Sequence, residues 1–526
     1  MTLICASKFP CMKKNVAIPV LVLLLAGTVW ACLWLARPPA LFAEVAVKGP
    51  ATFSGIKFGK RHQFVRVDRE VLDSVAAGQD VLELELFDGQ RHKLYLGEMG
   101  KTATGGTLNY GRLADVPGSQ VVLATQNEAM AGGVYLPDGR KFYFSYLGKG
   151  IHVLQEVDYS LAASSCQESL PGLDPGYDIG PDGEKYQKFF QVRTVIPWGR
   201  TNNVATAPPV PKAKAVVNNT AWGPNQRVLW GGQNWLVRRS LRWGKGFSVP
   251  PQPVQIALPA GTVNTLTEPG GSTPLPPKNP PWTGGGANAP GSGPVIEIMI
   301  CWTPAAKTAK GGANGISAFC NAAMGELNLG FRNSRAAAQA RLVGTFELSR
   351  NSAGNVSTDL SNLSTDAAVQ AERDRVNADL VSLFVEDNNT GILGVAYGAT
   401  TLSPNSEMQC WNVTQLQAVT GAFHSFTHET GHNLGCMHHK DQANAGNGPF
   451  TYSHGWRWAG NDGKRYRSLL SYQNPSYPNE PRLIYFSNPS VNYQGVPTGD
   501  AKNGNNAATI NAIAPKTAAF RPKSTP

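Results

Sequence analysis

The chain has 526 residues, too many for one hydrophobic core, so two or three folding units are expected. Apolar residues make up 42% and charged residues only 16%, with 56 Gly and 38 Pro, which excludes a coiled coil or a solenoid and favours compact domains joined by irregular segments. The net charge of +11 suggests a nucleic-acid binder until it is located: nine Lys or Arg and no acidic residue lie between Gln191 and Pro250, whereas residues 291–526 sum to about +2. The charge belongs to a connector, and no nucleic-acid partner is expected.

At the amino end, Val16 to Ala36 is an apolar run preceded by Lys13 and Lys14 and followed by Arg37, Pro38 and Pro39. Its length suits a bilayer, and the small residues near Val29-Trp30-Ala31 also suit a signal peptidase. Residues 1–43 are therefore expected to be either a cleaved signal peptide or an uncleaved signal anchor, and the only part of the chain to meet a membrane. With the two lysines left in the cytoplasm, the rest is expected to be exported: secreted, periplasmic, or anchored at the outer face of the cytoplasmic membrane. Export places Cys166, Cys301, Cys320, Cys410 and Cys436 in an oxidising space, and five is an odd number. The simplest sorting is two bridges after residue 300 and a spare thiol at Cys166.

Residues 44–179 read as a β-rich domain. Val81 to Leu86 alternates apolar and polar, and two β-prone runs, 133–136 and 141–144, flank the turn signal Pro137-Asp138-Gly139. Residues 180–293 form a basic connector rich in Trp, Pro and Gly, with Trp198, Trp222, Trp230, Trp235 and Trp243 among its cations. Such a mixture fits either tryptophans covering a domain face or a polyanion or glycan surface. From residue 294 to 526 strands and helices alternate: a strand at 295–300, a helix at 316–331, a strand at 341–346, a charged helix at 366–378 and a strand at 380–385. An α/β domain follows.

Six of the nine histidines fall between His424 and His454, and His428 to His438 reads H-E-x-x-H-x-x-G-x-x-H. On a helix, His428 and His432 are one turn apart and share a face, as two ligands of one Zn²⁺ must. Glu429 reaches a water at the metal without occupying the metal. Gly435 can take positive φ, so the chain can turn and return His438 as a third nitrogen ligand. Three protein ligands leave one position open for a water made acidic by the ion. His439, adjacent to His438, cannot easily face the same ion and is read as a partner of a ligand or as exposed. His424 is read as a helix-face residue or a support to a ligand, and His454 as a loop residue.

These motifs resemble the metzincin metallopeptidases, and Gly431-His432-Asn433-Leu434-Gly435 resembles their reprolysin-like branch, which includes bacterial secreted members. The resemblance runs from Val295 to Arg521. It implies a zinc endopeptidase acting on protein or peptide substrates, a monomer with one catalytic ion, and an α/β (α+β) fold whose twisted mixed sheet lies over the active-site helix. It also implies that the β-rich unit is propeptide-like. Glu429 becomes the general base, and Gly391 to Tyr397 resembles the edge strand that aligns substrate. Ser468-Leu469-Leu470-Ser471-Tyr472 resembles the methionine turn, with Leu470 in the methionine position, and Tyr472 falls where some members keep a tyrosine that supports the transition state. Reprolysins usually place Asp where this chain has His439. Those two departures support the competing reading, a catalytically impaired metal-binding surface or adhesion protein; a zinc hydrolase of cell-wall cross-links is a third. Cys166 is a candidate zymogen thiol, since a thiolate can fill an open zinc position.

Overall fold

The computed structural model describes residues 38–49, 59–157 and 293–523, the last without 387–391, 403–408, 422, 443–444, 475 and 478–479; between 158 and 292 it describes a few short strands. The apolar run 16–36, Cys166 and the side chains of the five connector tryptophans lie outside the described residues. Among the described residues no helix is long and apolar enough to cross a membrane. The chain divides into two compact units.

The first unit is built on a nine-stranded antiparallel sheet: β1 (Phe42–Val45), β2 (Gly59–Val67), β3 (Val81–Glu85), β4 (Arg91–Lys101), β5 (Thr107–Leu113), β6 (Gln120–Gln126), β7 (Ala129–Tyr135), β8 (Lys141–Gly148) and β9 (Ile151–Val157). The order is β1-β2-β9-β8-β7-β6-β5-β4-β3. The two ends meet, because Leu41 N–H donates to Glu83 O at 2.7 Å and Glu83 N–H to Pro39 O at 2.8 Å, which closes the sheet into a barrel and leaves it few free edges. The alternation seen from Val81 buries Leu82 and Leu84 inside, with Val65, Leu94, Leu123 and Phe144. Helix α1 (Arg69–Ala76), capped by Asp68, adds Leu72 and Val75 to that core. The 137–139 turn does join β7 to β8, with Gly139 at φ +93°. Residues 306–325 belong to this unit as well: Asn314 Nδ2 donates to Glu128 Oε2 at 2.9 Å, and Lys310 Nζ to Ser145 Oγ at 3.3 Å.

The second unit carries a mixed five-stranded sheet. Its strands are β10 (Val295–Trp302), β11 (Gln339–Glu347), β12 (Leu380–Val385), β13 (Gly394–Ala396) and β14 (Trp411–Gln415), in the order β11-β10-β12-β14-β13. All neighbours are parallel except the edge strand β13, which runs antiparallel to β14. β10 and β12 are apolar runs because helices or chain cover both faces of a central parallel strand. The crossovers are α2 (Pro304–Ala309) with α3 (Ala313–Asn333), and α4 (Val356–Thr365) with α5 (Ala367–Arg375). α4 is rich in Ser, Thr and Asn; the Asn355 side chain starts it by accepting from Ser357 N and Thr358 N, and its buried Val356, Leu360 and Leu363 hold it. Helix α6 (Ser425–Asn433) follows β14, and α7 (Asn506–Thr517) lies near the carboxyl end of the described residues.

Among the described residues the expected disulfides are not found. Cys301, Cys320, Cys410 and Cys436 are buried and unbridged. Cys301 lies in β10 and Cys320 in α3, while Cys436 donates its thiol hydrogen to Asn506 O at 3.7 Å. Burial pushes the Cys301 and Cys436 thiols far above their ordinary values, so both stay protonated and act as small apolar core residues.

Candidate metal centre

α6 is buried along nearly its whole length, and its start is held from two sides. His424 caps it at φ +49°, and its Nδ1 lies 2.7 Å from Glu326 Oε2, a pair completely sequestered from solvent. At the other end, Asn433 Nδ2 donates to Tyr397 O at 2.9 Å and Trp411 O at 3.1 Å, while Asn433 Oδ1 accepts from Asn412 Nδ2 at 2.8 Å. The asparagine of the Gly-His-Asn-Leu-Gly run thus ties the helix to β14 and to the residue that follows the edge strand β13. Sequence reasoning gave it no role, because its partners are backbone groups of chain 22 and 36 residues away.

After Asn433 the chain turns where the glycine allows it. Gly435 sits at φ +84°, and a Cβ there would also lie 2.9 Å from Pro449 Cγ, so both backbone and space require glycine. The turn returns His438 to the helix. The Nε2 atoms of His428, His432 and His438 then lie 3.0–3.1 Å from one another. His428 Nδ1 donates to Leu469 O and His432 Nδ1 to Cys436 O, both at 2.7 Å, which fixes the tautomer and leaves each Nε2 as a lone pair. Lone pairs at that distance repel unless a cation sits among them. A tetrahedral ion with bonds of about 2.05 Å keeps its nitrogens about 3.3 Å apart, close to what is found. Burial drives His428 well below its usual basicity and His432 to about 4, so both stay neutral, as ligands must. The three histidines can hold one metal ion.

Glu429 is 5% exposed, and burial raises its carboxyl to about 8, with the charge of Arg482 opposing the rise. Its carboxylate lies against the edge strand: a Cβ placed on Gly394 would stand 2.5 Å from Glu429 Oε1. Only glycine lets β13 pass so close to the acid.

Residues 468–472 run beneath the histidines. Leu469 supplies the carbonyl for His428, and Leu470, fully buried, packs under Gly431, whose missing Cβ would come 3.0 Å from Leu470 Cδ2. Tyr472 lies with its ring 5.7 Å from that of His428, nearly parallel, and 4.3 Å from that of His438. His439 turns elsewhere: its ring stacks on Trp456 at 5.6 Å and its Nδ1 accepts from Asp441 N at 3.3 Å. It is buried, so the exposed alternative is not met. His454, read from sequence as a loop residue, donates through Nδ1 to His438 O at 2.7 Å and so fixes the backbone of the third histidine. No spacing rule foretells that contact, since it depends on the bridge between Met437 and His454. Cys166 lies outside the described residues.

Residues 295–487 match the family model of metallo-peptidase family M12 (Reprolysin_5). Four curated relatives carry the name peptidyl-Asp metalloendopeptidase. Those of Stenotrophomonas maltophilia and Xanthomonas campestris are each 30% identical over 237 residues, 44% of this chain and 54% and 53% of theirs. That of Pseudomonas aeruginosa is 26% identical over 255 residues, 44% of this chain and 41% of its own. The chain therefore spans about half the length of the curated relatives it matches. A solved structure, metalloproteinase-II from Bacteroides fragilis, aligns at 9% identity and TM-score 0.30 over 70% of this chain and 85% of that one, a likeness that carries no argument. The matched segment holds the helix, the three converging histidines and the turn under them, and it is this segment, residues 295–487, that is similar to the reprolysin-like metallopeptidases of family M12.

Proposed function

We propose that this chain is an exported, zinc-dependent endopeptidase that cleaves peptide bonds beside an aspartate, as the names of its relatives suggest. The observation that carries the peptidase reading is the convergence of three Nε2 atoms beside a buried carboxylate that abuts an edge strand. When bound, a zinc ion supplies the Lewis acidity that makes a water a nucleophile near neutral pH and polarises the scissile carbonyl. The chain's own residues do the rest. β13 offers unpaired backbone groups to an extended peptide, which adds as a further strand and brings its carbonyl past Gly394 to Glu429. Glu429 accepts a proton from the attacking water and hands it to the leaving amide nitrogen. Tyr472, beside His428 and His438, is placed in the proposal as a hydrogen-bond donor to the developing oxyanion. Residues 44–179, whose described part includes the barrel strands up to Val157, serve as the propeptide, and 180–293 as the connector whose cleavage separates it from the catalytic domain, 294–526.

Leu470 fills the space under Gly431 and His439 faces Trp456, so neither departure from the family pattern argues for an impaired, adhesive protein. The test is hydrolysis of a peptide mixture by the chain, before and after limited proteolysis of the connector, with a chelator and with zinc restored. Glu429→Gln should lower turnover by roughly 10²–10⁴-fold while keeping one zinc per chain. Turnover at the parent's rate in that variant would remove Glu429 as the base.

A further inference from the structure

The ligand helix begins at a residue whose backbone does not favour it. His424, the cap of α6, sits at φ +49° and ψ +40°, a left-handed conformation that a residue with a side chain rarely adopts without support. Caps usually hold themselves by a side-chain bond to the first turn, and the His424 ring makes none. Its Nδ1 points instead to Glu326 Oε2, 2.7 Å away in α3. The backbone beside it is engaged as well. His424 O accepts from the His428 N–H at 2.9 Å, so the first bond of the helix ends on the first candidate ligand, and Ser425 N–H donates to Ala418 O at 2.8 Å. Glu326 lies one turn before Gly330 on the same face of α3. A Cβ on Gly330 would stand 3.4 Å from Leu469 Cδ1 and 3.5 Å from Thr427 Cγ2, so that face packs against both α6 and the segment beneath it. Leu469 is the residue whose carbonyl accepts from His428 Nδ1. One face of α3 therefore reaches both groups that orient His428: the cap that starts its helix and the loop that bonds its ring.

We propose that Glu326 is a positioning residue for His428: its carboxylate holds the His424 ring, and the held ring keeps the cap of α6 in the left-handed turn from which the first ligand and Glu429 project. The inference rests on the reading above only in taking His428 as a metal ligand. Glu326 is 1% exposed and His424 is fully buried, so removing the carboxylate strands the ring where water cannot replace the lost partner. The ring then turns to another acceptor, and the cap relaxes toward negative φ. That relaxation tilts the first peptide of α6 and swings His428, one turn further on, away from the point where the three Nε2 atoms meet. Glycine takes positive φ unaided and has no ring to satisfy, so at position 424 it makes the carboxylate unnecessary.

The experiment uses the full chain and measures zinc affinity by competition with a chromophoric chelator, together with the visible spectrum of the chain loaded with Co²⁺, whose bands report ligand geometry. Denaturant melts of the same samples record stability separately. Glu326→Gln, whose amide oxygen still accepts from His424 Nδ1, should bind zinc nearly as the parent does and keep its Co²⁺ spectrum. Glu326→Ala should bind zinc roughly 10–100-fold more weakly, with an altered spectrum. Glu326→Ala combined with His424→Gly should recover most of that affinity and the parent's spectrum without matching the parent's stability, a separation that a merely structural pair would not give. A folded Glu326→Ala that binds zinc like the parent overturns the proposal, and so does a double variant that binds as weakly as Glu326→Ala. If Glu326→Ala does not fold, the double variant decides, and its failure to fold or to bind zinc overturns the proposal too. A parent that shows these differences in zinc binding but cleaves no peptide overturns the peptidase reading and leaves this inference standing. A parent that binds no zinc overturns both.

Discussion

Two buried histidines, one in the barrel and one in the candidate metal centre, show what burial alone does not decide. His152 in β9 and His428 in α6 are both all but inaccessible and both held neutral, His152 by a fall to about 3 and His428 by a fall well below its usual value, in each case chiefly because burial disfavours the charged ring. Their neighbours differ. His152 Nε2 accepts from the Met130 N–H at 3.1 Å, so its lone pair is already used on a strand. His428 Nδ1 donates to the Leu469 carbonyl, so its lone pair is left on Nε2 and aimed at two others. Whether a backbone N–H or a backbone C=O faces the ring decides between a core histidine and a ligand.

The comparison predicts its largest effect for loss of a ligand. His428→Ala, His432→Ala or His438→Ala should each abolish stoichiometric zinc, read by metal analysis, and with it peptide hydrolysis. His152→Gln, whose amide oxygen can still accept from Met130 N–H, should keep one zinc per chain. Zinc lost from His152→Gln, or kept in all three alanine variants, would break the distinction.

A smaller effect concerns acid. The folded value of His152 lies below the unfolded one of about 6.5, so between about pH 6.5 and 3 the unfolded chain binds the extra proton. The stability this residue contributes is therefore complete above pH 6.5 and is lost as pH falls toward 3, at up to about 1.4 kcal/mol per pH unit. Denaturant melts of the parent and of His152→Gln should accordingly converge as the pH is lowered through that range. Parallel curves would mean that His152 is protonated in the fold. Zinc should protect the centre's histidines by the same linkage, since protons and metal compete for Nε2.

The smallest effect tests the packing beneath the ligands. Leu470→Met conserves volume and should change stability by less than about 1.5 kcal/mol, with zinc content unaltered. Gly431→Ala should cost more than the methionine swap, because its Cβ meets Leu470 Cδ2 and Phe486 Cε1 at 3.0 Å each. A methionine at 470 that unfolds the chain would remove this residue from the turn under the histidines.

The sequence by itself determined the elements whose signal is local. Periodicity fixed β10, β12 and α3, turn chemistry fixed the β7–β8 hairpin, and the spacing of His428, Glu429, His432, Gly435 and His438 fixed the candidate ligands, because a helix turn and a positive φ are properties of a few adjacent residues. What only the tertiary structure decided depends on distant chain. The closing of the barrel rests on Leu41 and Glu83, and the rigidity of the ligand helix on Asn433 with Tyr397 and on His424 with Glu326. The orientation of the ligands rests on Leu469 and His454. The unbridged cysteines belong here too, because the count of thiols says nothing of which core each one enters. So does Arg482: its place follows from the carbonyls of Phe423 and Ser471, 59 and 11 residues away, and no pattern in the sequence records which backbone oxygens a folded chain will bring together.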